Sequence, residues 1–239
     1  MRQFYRSLLN LLFPLRGCPL CGARDQADLC ASCRDFLARA AREPYCPVCG
    51  RYFDSPGAGL CRECSGRTWP FVFSRAATPY EGVIREAIHR FKFGGRRDRA
   101  GFLGELMVAA LNREPAYREA TLVVPVPLSR ERLRERGFNQ AELLAGVVAE
   151  RAGSRLIRAL QKTGDTPPQA RLDKAARLGN VAGSFCVADA SQIEGETVLL
   201  VDDIFTTGST LSAAAEALLE RGAGRVLGLT LAAGRTRSF

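Results

Sequence analysis

At 239 residues and 46% hydrophobic content, the chain is long enough for one sizeable α/β core plus a small module, and no apolar run approaches the ~18 residues a membrane span needs. Its net charge of +9 comes from 34 Lys+Arg against 25 Asp+Glu, nearly all of the cations being arginine, whose planar fork suits nucleic acid or phosphorylated metabolites. The single histidine, His89, argues against histidine-based hydrolysis and His-ligated catalytic metals.

Residues 1–15 mix Arg2, Arg6 and Asn10 with Phe4, Leu8, Leu9, Leu11 and Leu12. They lack a clean apolar centre and a small-residue cleavage site, so they read as an amphipathic helix docked on the body rather than a signal peptide, and a cytoplasmic location is expected. Eight of the nine cysteines then fall in four C-x-x-C pairs: Cys18/Cys21, Cys30/Cys33, Cys46/Cys49 and Cys61/Cys64. Two pairs have the knuckle form C-P-x-C-G, whose glycine lets backbone amides turn towards thiolate sulfur. In a reducing compartment this pattern predicts zinc rather than disulfides, and closed four-cysteine sites are structural, not catalytic. Short gaps favour sequential sites (18, 21, 30, 33, then 46, 49, 61, 64), although interleaved pairing is topologically allowed. Tyr52, Phe53 and Trp69 flank the knuckles and could stack on bases of single-stranded DNA; core packing explains them equally well.

Trp69-Pro70 and Phe71-Val72-Phe73 mark the exit from this module, dividing the chain into 1–70 and 71–239, with the second part's core at 120–239. Val83, Ile84, Ala87, Ile88 and Phe91 recur at helical spacing within 80–93, and a second helix is expected over 98–111. A strand at 121–126 ends in Val124-Pro125-Val126-Pro127, which forces an extended turn. Arg130, Arg132, Arg134 and Arg136 follow, then a helix over 139–151 and a short strand at 155–160. The polar stretch 162–182 is of a length that marks either a functional loop or a disordered one. Strands at 185–187, where Cys186 is expected to be buried, and 197–201, a helix over 211–221 and a strand at 225–231 complete the pattern. Strands alternating with helices imply an α/β fold with a mostly parallel sheet, whose ligands bind at the strands' carboxyl ends.

The most informative stretch is Val198 to Thr210, VLLVDDIFTTGST. Four apolar residues make a buried strand, two adjacent carboxylates end it, and a hydroxyl-rich turn leads into a helix. Backbone amides and hydroxyls at a helix N-terminus hold phosphate, while the acids suit a sugar diol and a metal ion.

The segment resembles the signature by which type I phosphoribosyltransferases bind 5-phosphoribosyl-1-pyrophosphate (PRPP). Val124-Pro125-Val126-Pro127 with Arg130, Arg136-Gly137-Phe138-Asn139-Gln140, the segment 169–180 and the four knuckles extend the likeness over nearly the whole chain. The combination is similar to the ComF/GntX family of competence and DNA-utilisation phosphoribosyltransferase homologues. That resemblance implies a type I phosphoribosyltransferase-like sheet behind a double zinc ribbon. It implies that Asp202 and Asp203 contact the ribose hydroxyls beside Mg²⁺, and that Thr206, Thr207, Gly208, Ser209 and Thr210 hold the 5′-phosphate. Val126, Pro127 and Leu128 fall where the family binds pyrophosphate. Loop 162–182 matches the catalytic lid, with Lys174 and Arg177 as leaving-group cations. Arg130 and Arg136 to Gln140 fall to either pyrophosphate or acceptor. Thr206 stands where purine-salvage relatives place an Asp, which counts against purine bases as acceptors. The resemblance implies Mg²⁺-dependent transfer of 5-phosphoribose during DNA uptake. The alternative is a non-catalytic PRPP or nucleotide sensor, or a single-stranded-DNA-binding accessory. Its partners would be PRPP, single-stranded DNA and a competence helicase-type protein.

Overall fold

The computed structural model describes residues 17–23, 29–54, 59–163 and 184–237. The expected N-terminal helix and nearly all of the 162–182 loop, including Lys174 and Arg177, lie outside these residues. Among the described residues no helix is long and apolar enough to cross a membrane.

The cysteine-rich region contributes little regular structure: α1 (Ala31–Ala40), β1 (Tyr52–Phe53) and α2 (Arg62–Ser65). Cys30 and Cys61 are the N-caps of α1 and α2, so each second C-x-x-C closes around a helix start. Next come β2 (Ser74–Pro79), α3 (Gly82–Phe93) and α4 (Ala100–Asn112), the last preceded by a 3-10 turn at Arg97–Arg99. The spacing of Ile84, Ala87, Ile88 and Phe91 buries one stripe of α3, as the periodicity requires. β3 (Leu122–Pro125) leads into α5 (Arg130–Arg136), which begins where Ser129 Oγ accepts from the Arg132 amide (3.3 Å) and stops at Gly137, φ +72°. Asn139 then caps α6 (Gln140–Ala152), its Oδ1 accepting from the Ala141 amide at 3.0 Å. The remaining elements are β4 (Arg155–Leu156), β5 (Leu160–Lys162), β6 (Phe185–Val187), β7 (Thr197–Phe205), α7 (Ser209–Leu219), β8 (Arg225–Ala233) and β9 (Arg235–Thr236).

Five strands form a wholly parallel sheet in the order β2-β8-β7-β3-β4. β5 and β6 form an antiparallel ribbon, and β1 pairs in parallel with β9. The central strands are apolar on both sides because both sides are covered. Val123, Leu199, Val201, Leu227 and Leu229 face α3, α4 and α6. Leu122, Val124, Val198, Leu200 and Val226 face α7 and the β5–β6 ribbon. Each cysteine cluster joins one of these two cores: Cys18, Cys30 and Cys33 the first, Cys46, Cys49, Cys61 and Cys64 the second.

Four expectations need correction. β2 has no counterpart in the sequence reading. The expected strand at 155–160 divides into β4 and β5. β7 does not stop at Val201 but runs through the acids, with Asp202 opposite Thr230 and Ile204 opposite Ala232 of β8; α7 correspondingly starts at Ser209 rather than Leu211. Cys186 is half-buried on the two-stranded ribbon, whose small size leaves one face open.

Candidate metal clusters and phosphate site

The Sγ atoms of Cys18, Cys21, Cys30 and Cys33 all lie within 4.8 Å of one another, and so do those of Cys46, Cys49, Cys61 and Cys64. The clusters are therefore sequential, not interleaved. None of the eight forms a disulfide. Cys21 and Cys30 sulfurs are 3.6 Å apart and those of Cys49 and Cys61 3.7 Å, whereas a zinc tetrahedron with Zn–S of ~2.3 Å has edges of about 3.8 Å. Sulfur-only tetrahedral sites of this size suit structural zinc.

Surrounding donors favour the thiolate form at one cysteine of each cluster, Cys18 and Cys46, while burial and the neighbouring sulfurs push Cys33, Cys49 and Cys64 up. The Ala23 amide donates to Cys21 Sγ and the Cys61 amide to Cys46 Sγ, both at 3.4 Å. Burial pushes the Cys18 thiol up, but the amides of Cys21, Cys30 and Leu20 outweigh it and bring it down to about 6. The Cys49 thiol, against burial and with the amides of Cys49, Cys61 and Val48, brings Cys46 down to about 4. The second cluster has further donors. Buried Arg51 reaches Cys49 Sγ through Nε (3.5 Å) and Cys61 Sγ through Nη2 (3.6 Å), and is itself held by Glu63 at 2.8 Å. Trp69 Nε1 donates to Cys64 Sγ at 3.2 Å. Tyr52, Phe53 and Trp69 are all buried, so none offers a free face to a nucleic-acid base.

The acids stand at the carboxyl end of β7, the middle strand of the sheet. Asp202 Oδ1 accepts from the Asp203 amide at 2.8 Å. Loss of solvation and the neighbouring Asp203 carboxylate push Asp202 up to about 7, against the lowering fields of Lys92 and Lys162. Asp203 pairs with Lys92 Nζ at 2.8 Å, the two side chains being 13% and 16% exposed. Lys92 is a site residue that the motifs do not mark, and its signal in the sequence is rarity. The chain uses lysine only at 92, 162 and 174, and the two described ones both act on this acid pair.

Beyond Phe205 the chain turns through exposed Thr206 and Thr207 to Gly208, φ +79°, which caps α7. Among the described residues the backbone amides of Thr206, Thr207 and Gly208 have no hydrogen-bond partner. Thr207 Oγ1 and Ser209 Oγ lie 3.0 Å apart and the Ser209 amide points at Thr207 Oγ1 (3.4 Å), so the hydroxyls cluster over the amides. Thr206, Gly208, Ser209 and Thr210 line a small cavity with Ile204 and Leu211.

The turn after β3 adjoins the acids. The Val126 amide donates to Val201 O at 2.9 Å, and Asn139 Nδ2 closes the turn by donating to Val126 O at 3.0 Å. Pro127 and Leu128 are half-buried between them, while Arg130, first residue of α5, is exposed. Arg136 to Gln140 reach the end of α3 instead of lying free. The Arg97 side chain donates to Gly137 O and stacks 4.9 Å from the Phe138 ring, Phe138 packs on Phe91, and the Arg136 guanidinium sits 5.1 Å from the Phe93 ring. Arg136 Nη1 donates to Gln140 Oε1 at 3.1 Å. Phe93 adjoins Lys92, so one wall carries both this segment and the cation on Asp203.

Residues 8–65 match the double zinc ribbon domain family and residues 142–238 the phosphoribosyl transferase domain family. Over 204 residues the chain is 33% identical to the competence protein ComFC of Bacillus subtilis, with 81% of this chain and 79% of that one covered. The chain belongs to the ComFC/YhgH family. Competence protein ComFC of Streptococcus pneumoniae is 30% identical over 83% of this chain and 84% of its own. DNA utilization protein YhgH of Salmonella typhimurium is 29% identical over 83% and 87%. Like the ComF/GntX resemblance read from the sequence, this family membership joins a phosphoribosyltransferase domain to two four-cysteine zinc ribbons.

Proposed function

We propose that this ComFC/YhgH-family chain binds PRPP and, with Mg²⁺, transfers its 5-phosphoribosyl group to an acceptor during the handling of imported DNA. The observation that carries the reading is the pair of carboxylates near the end of β7 with, from three residues on, the amides of Thr206, Thr207 and Gly208, which have no partner among the described residues, at the N-terminus of α7. Asp202 and Asp203 accept hydrogen bonds from the ribose 2′- and 3′-hydroxyls. The amides of Thr206, Thr207 and Gly208, with the hydroxyls of Thr207, Ser209 and Thr210, hold the 5′-phosphate, aided by the positive end of the helix. The turn Val126–Leu128 takes the pyrophosphate side. Arg130 and Arg136 to Gln140 serve the pyrophosphate or the acceptor, and Lys174 and Arg177 are assigned as leaving-group cations.

In the transfer the C1′–O bond to pyrophosphate breaks and a bond from C1′ to the acceptor forms, through a sugar that carries positive charge. The carboxylates below the ring stabilise that charge, and cationic side chains stabilise the negative charge gathering on pyrophosphate. The all-oxygen donor set of Asp202 and Asp203 suits Mg²⁺, which when bound supplies further neutralisation of the pyrophosphate. The link to DNA uptake is supported by two relatives, one named a competence protein and the other a DNA utilization protein.

Calorimetry with PRPP and Mg²⁺ tests the reading. The wild type should bind, and Asp202→Asn/Asp203→Asn should not; binding that survives the double substitution sinks the assignment. Pyrophosphate release separates an enzyme from a sensor, since a sensor stays at background with every acceptor tried.

A further inference from the structure

Trp69, the chain's only tryptophan, lies between the second cysteine cluster and the phosphate turn. Its indole N–H donates to Cys64 Sγ at 3.2 Å. Its ring, 8% exposed, is pressed against Gly208: a Cβ placed there would come within 2.7 Å of Trp69 Cη2 and Cζ3 and 2.5 Å of Phe205 Cζ. The Arg67 guanidinium covers the ring at 4.0 Å from its centre and reaches Ser212 Oγ, in the first turn of α7, at 3.5 Å. Phe71 stacks on the indole at 5.1 Å, and Phe205, the last residue of β7, meets it edge-on at 6.0 Å.

These contacts leave the ring little freedom. One end is fixed to a ligand-type sulfur, and the opposite edge fixes Gly208, the left-handed residue on which the turn reverses. A shift at Cys64 reaches Gly208 through one rigid aromatic plate, because a close-packed indole moves as a unit. We propose that Trp69 is a positioning residue through which the second four-cysteine cluster sets the geometry of the phosphate turn. Metal at Cys46, Cys49, Cys61 and Cys64 and phosphate at the turn then favour one another. The inference rests on the reading of the turn as the PRPP 5′-phosphate site.

Coupling of this kind is reciprocal, which gives readouts independent of catalysis. In the full zinc-loaded chain, PRPP with Mg²⁺ should change the emission of Trp69 and slow chelator-driven zinc release from one of the two clusters. Trp69→Phe keeps a ring but lacks the N–H. It should retain two zinc ions per chain at the outset, bind PRPP more weakly by about fivefold or more, and lose the protection of zinc by PRPP. Phe71→Leu, which thins the same aromatic cluster without removing the link from Cys64 to Gly208, should lower stability and leave PRPP affinity unchanged. A wild type that binds no PRPP overturns the reading of the turn and the coupling with it. A wild type that binds PRPP with unchanged Trp69 emission and unchanged zinc release overturns the coupling alone, as does a Trp69→Phe protein that matches it in both affinity and zinc protection.

Discussion

Lys92 is the residue on which the electrostatics of the acid pair turn. Its ammonium neutralises Asp203 at a place where both are mostly withdrawn from water. Lys92→Met should therefore cost about 2 kcal/mol in urea denaturation, because a carboxylate is left without its partner. Lys92→Met/Asp203→Asn should recover most of that loss, since neither charge remains; a double variant no more stable than Lys92→Met would show that the lysine acts through packing. Asp202 offers a second test. Its folded pKa is raised to about 7, so its ionised form is disfavoured in the native state. The sign follows from linkage: the carboxyl binds its proton more tightly folded than unfolded, so stability falls as pH rises from the unfolded carboxyl's range near ~4 to about 7, and levels off above it. Asp202→Asn carries no such penalty. Without ligand it should melt above the wild type at pH ~8, with the gap narrowing below pH ~7 and closing only towards pH ~4, where the unfolded carboxyl also takes up its proton. A gap independent of pH would place the effect elsewhere. A site that destabilises its own protein in this way is typical of residues kept for binding.

At the scale of elements, α4 and α6 meet over the sheet at Gly104. A Cβ there would lie 2.6 Å from Val147 Cβ and 2.7 Å from its Cγ1, so the two helices approach as closely as a glycine permits. Gly104→Ala gains helix propensity but must push α6 outwards. Overpacking should dominate, lowering stability by about 1–2 kcal/mol in chemical denaturation. A more stable variant would mean that the helices have slack. The same scale separates what the sequence makes legible from what it hides. β7, β8 and α3 are readable because their apolar spacing matches burial that the fold then supplies. β2 is hidden because Ser74-Arg75-Ala76-Ala77-Thr78-Pro79 has no large β-former; it is a strand because β8 offers it a ladder, with Thr78 Oγ1 adding a bond to Leu231 O at 3.0 Å. Likewise the acids looked like the end of β7, but pairing with β8 extends the ladder through them. In the site, the acid pair, the hydroxyls and the cysteines were legible because their chemistry is local in sequence. The pairing of Lys92 with Asp203 and the approach of Trp69 to Gly208 were not, since each spans more than a hundred residues and only tertiary packing joins them.

For the whole molecule the arrangement of the two cysteine clusters matters most. They are not a bead tethered to a sheet. Leu20 and the first cluster are packed into the core shared by α3 and α4, and the Arg99 side chain donates to the carbonyls of Cys18, at 3.2 Å, and Pro19. The second cluster is stitched to the opposite core and to the chain's end. The Ser74 amide donates to Val48 O at 2.8 Å, the Asp54 amide to Thr236 O at 2.9 Å, and Arg235 joins Glu43, Glu81 and Phe53 O. Each cluster thus supplies part of the cover for one face of a parallel sheet, and a parallel sheet is stable only with both faces covered. Structural zinc contributes on the order of 10 kcal/mol per site to the segment it folds, comparable to the whole stability of a domain. Removing it should therefore uncover the sheet as well as unfold the ribbons. The expected outcome is a single calorimetric unfolding transition for the zinc-loaded chain, with two zinc ions per chain by metal analysis. Chelation should abolish or strongly lower that transition, with loss of near-UV circular dichroism from the sheet's aromatic residues. A ribbon that merely hung beside the sheet would leave the main transition at its original temperature after the zinc was gone, and that result would refute the shared-core account.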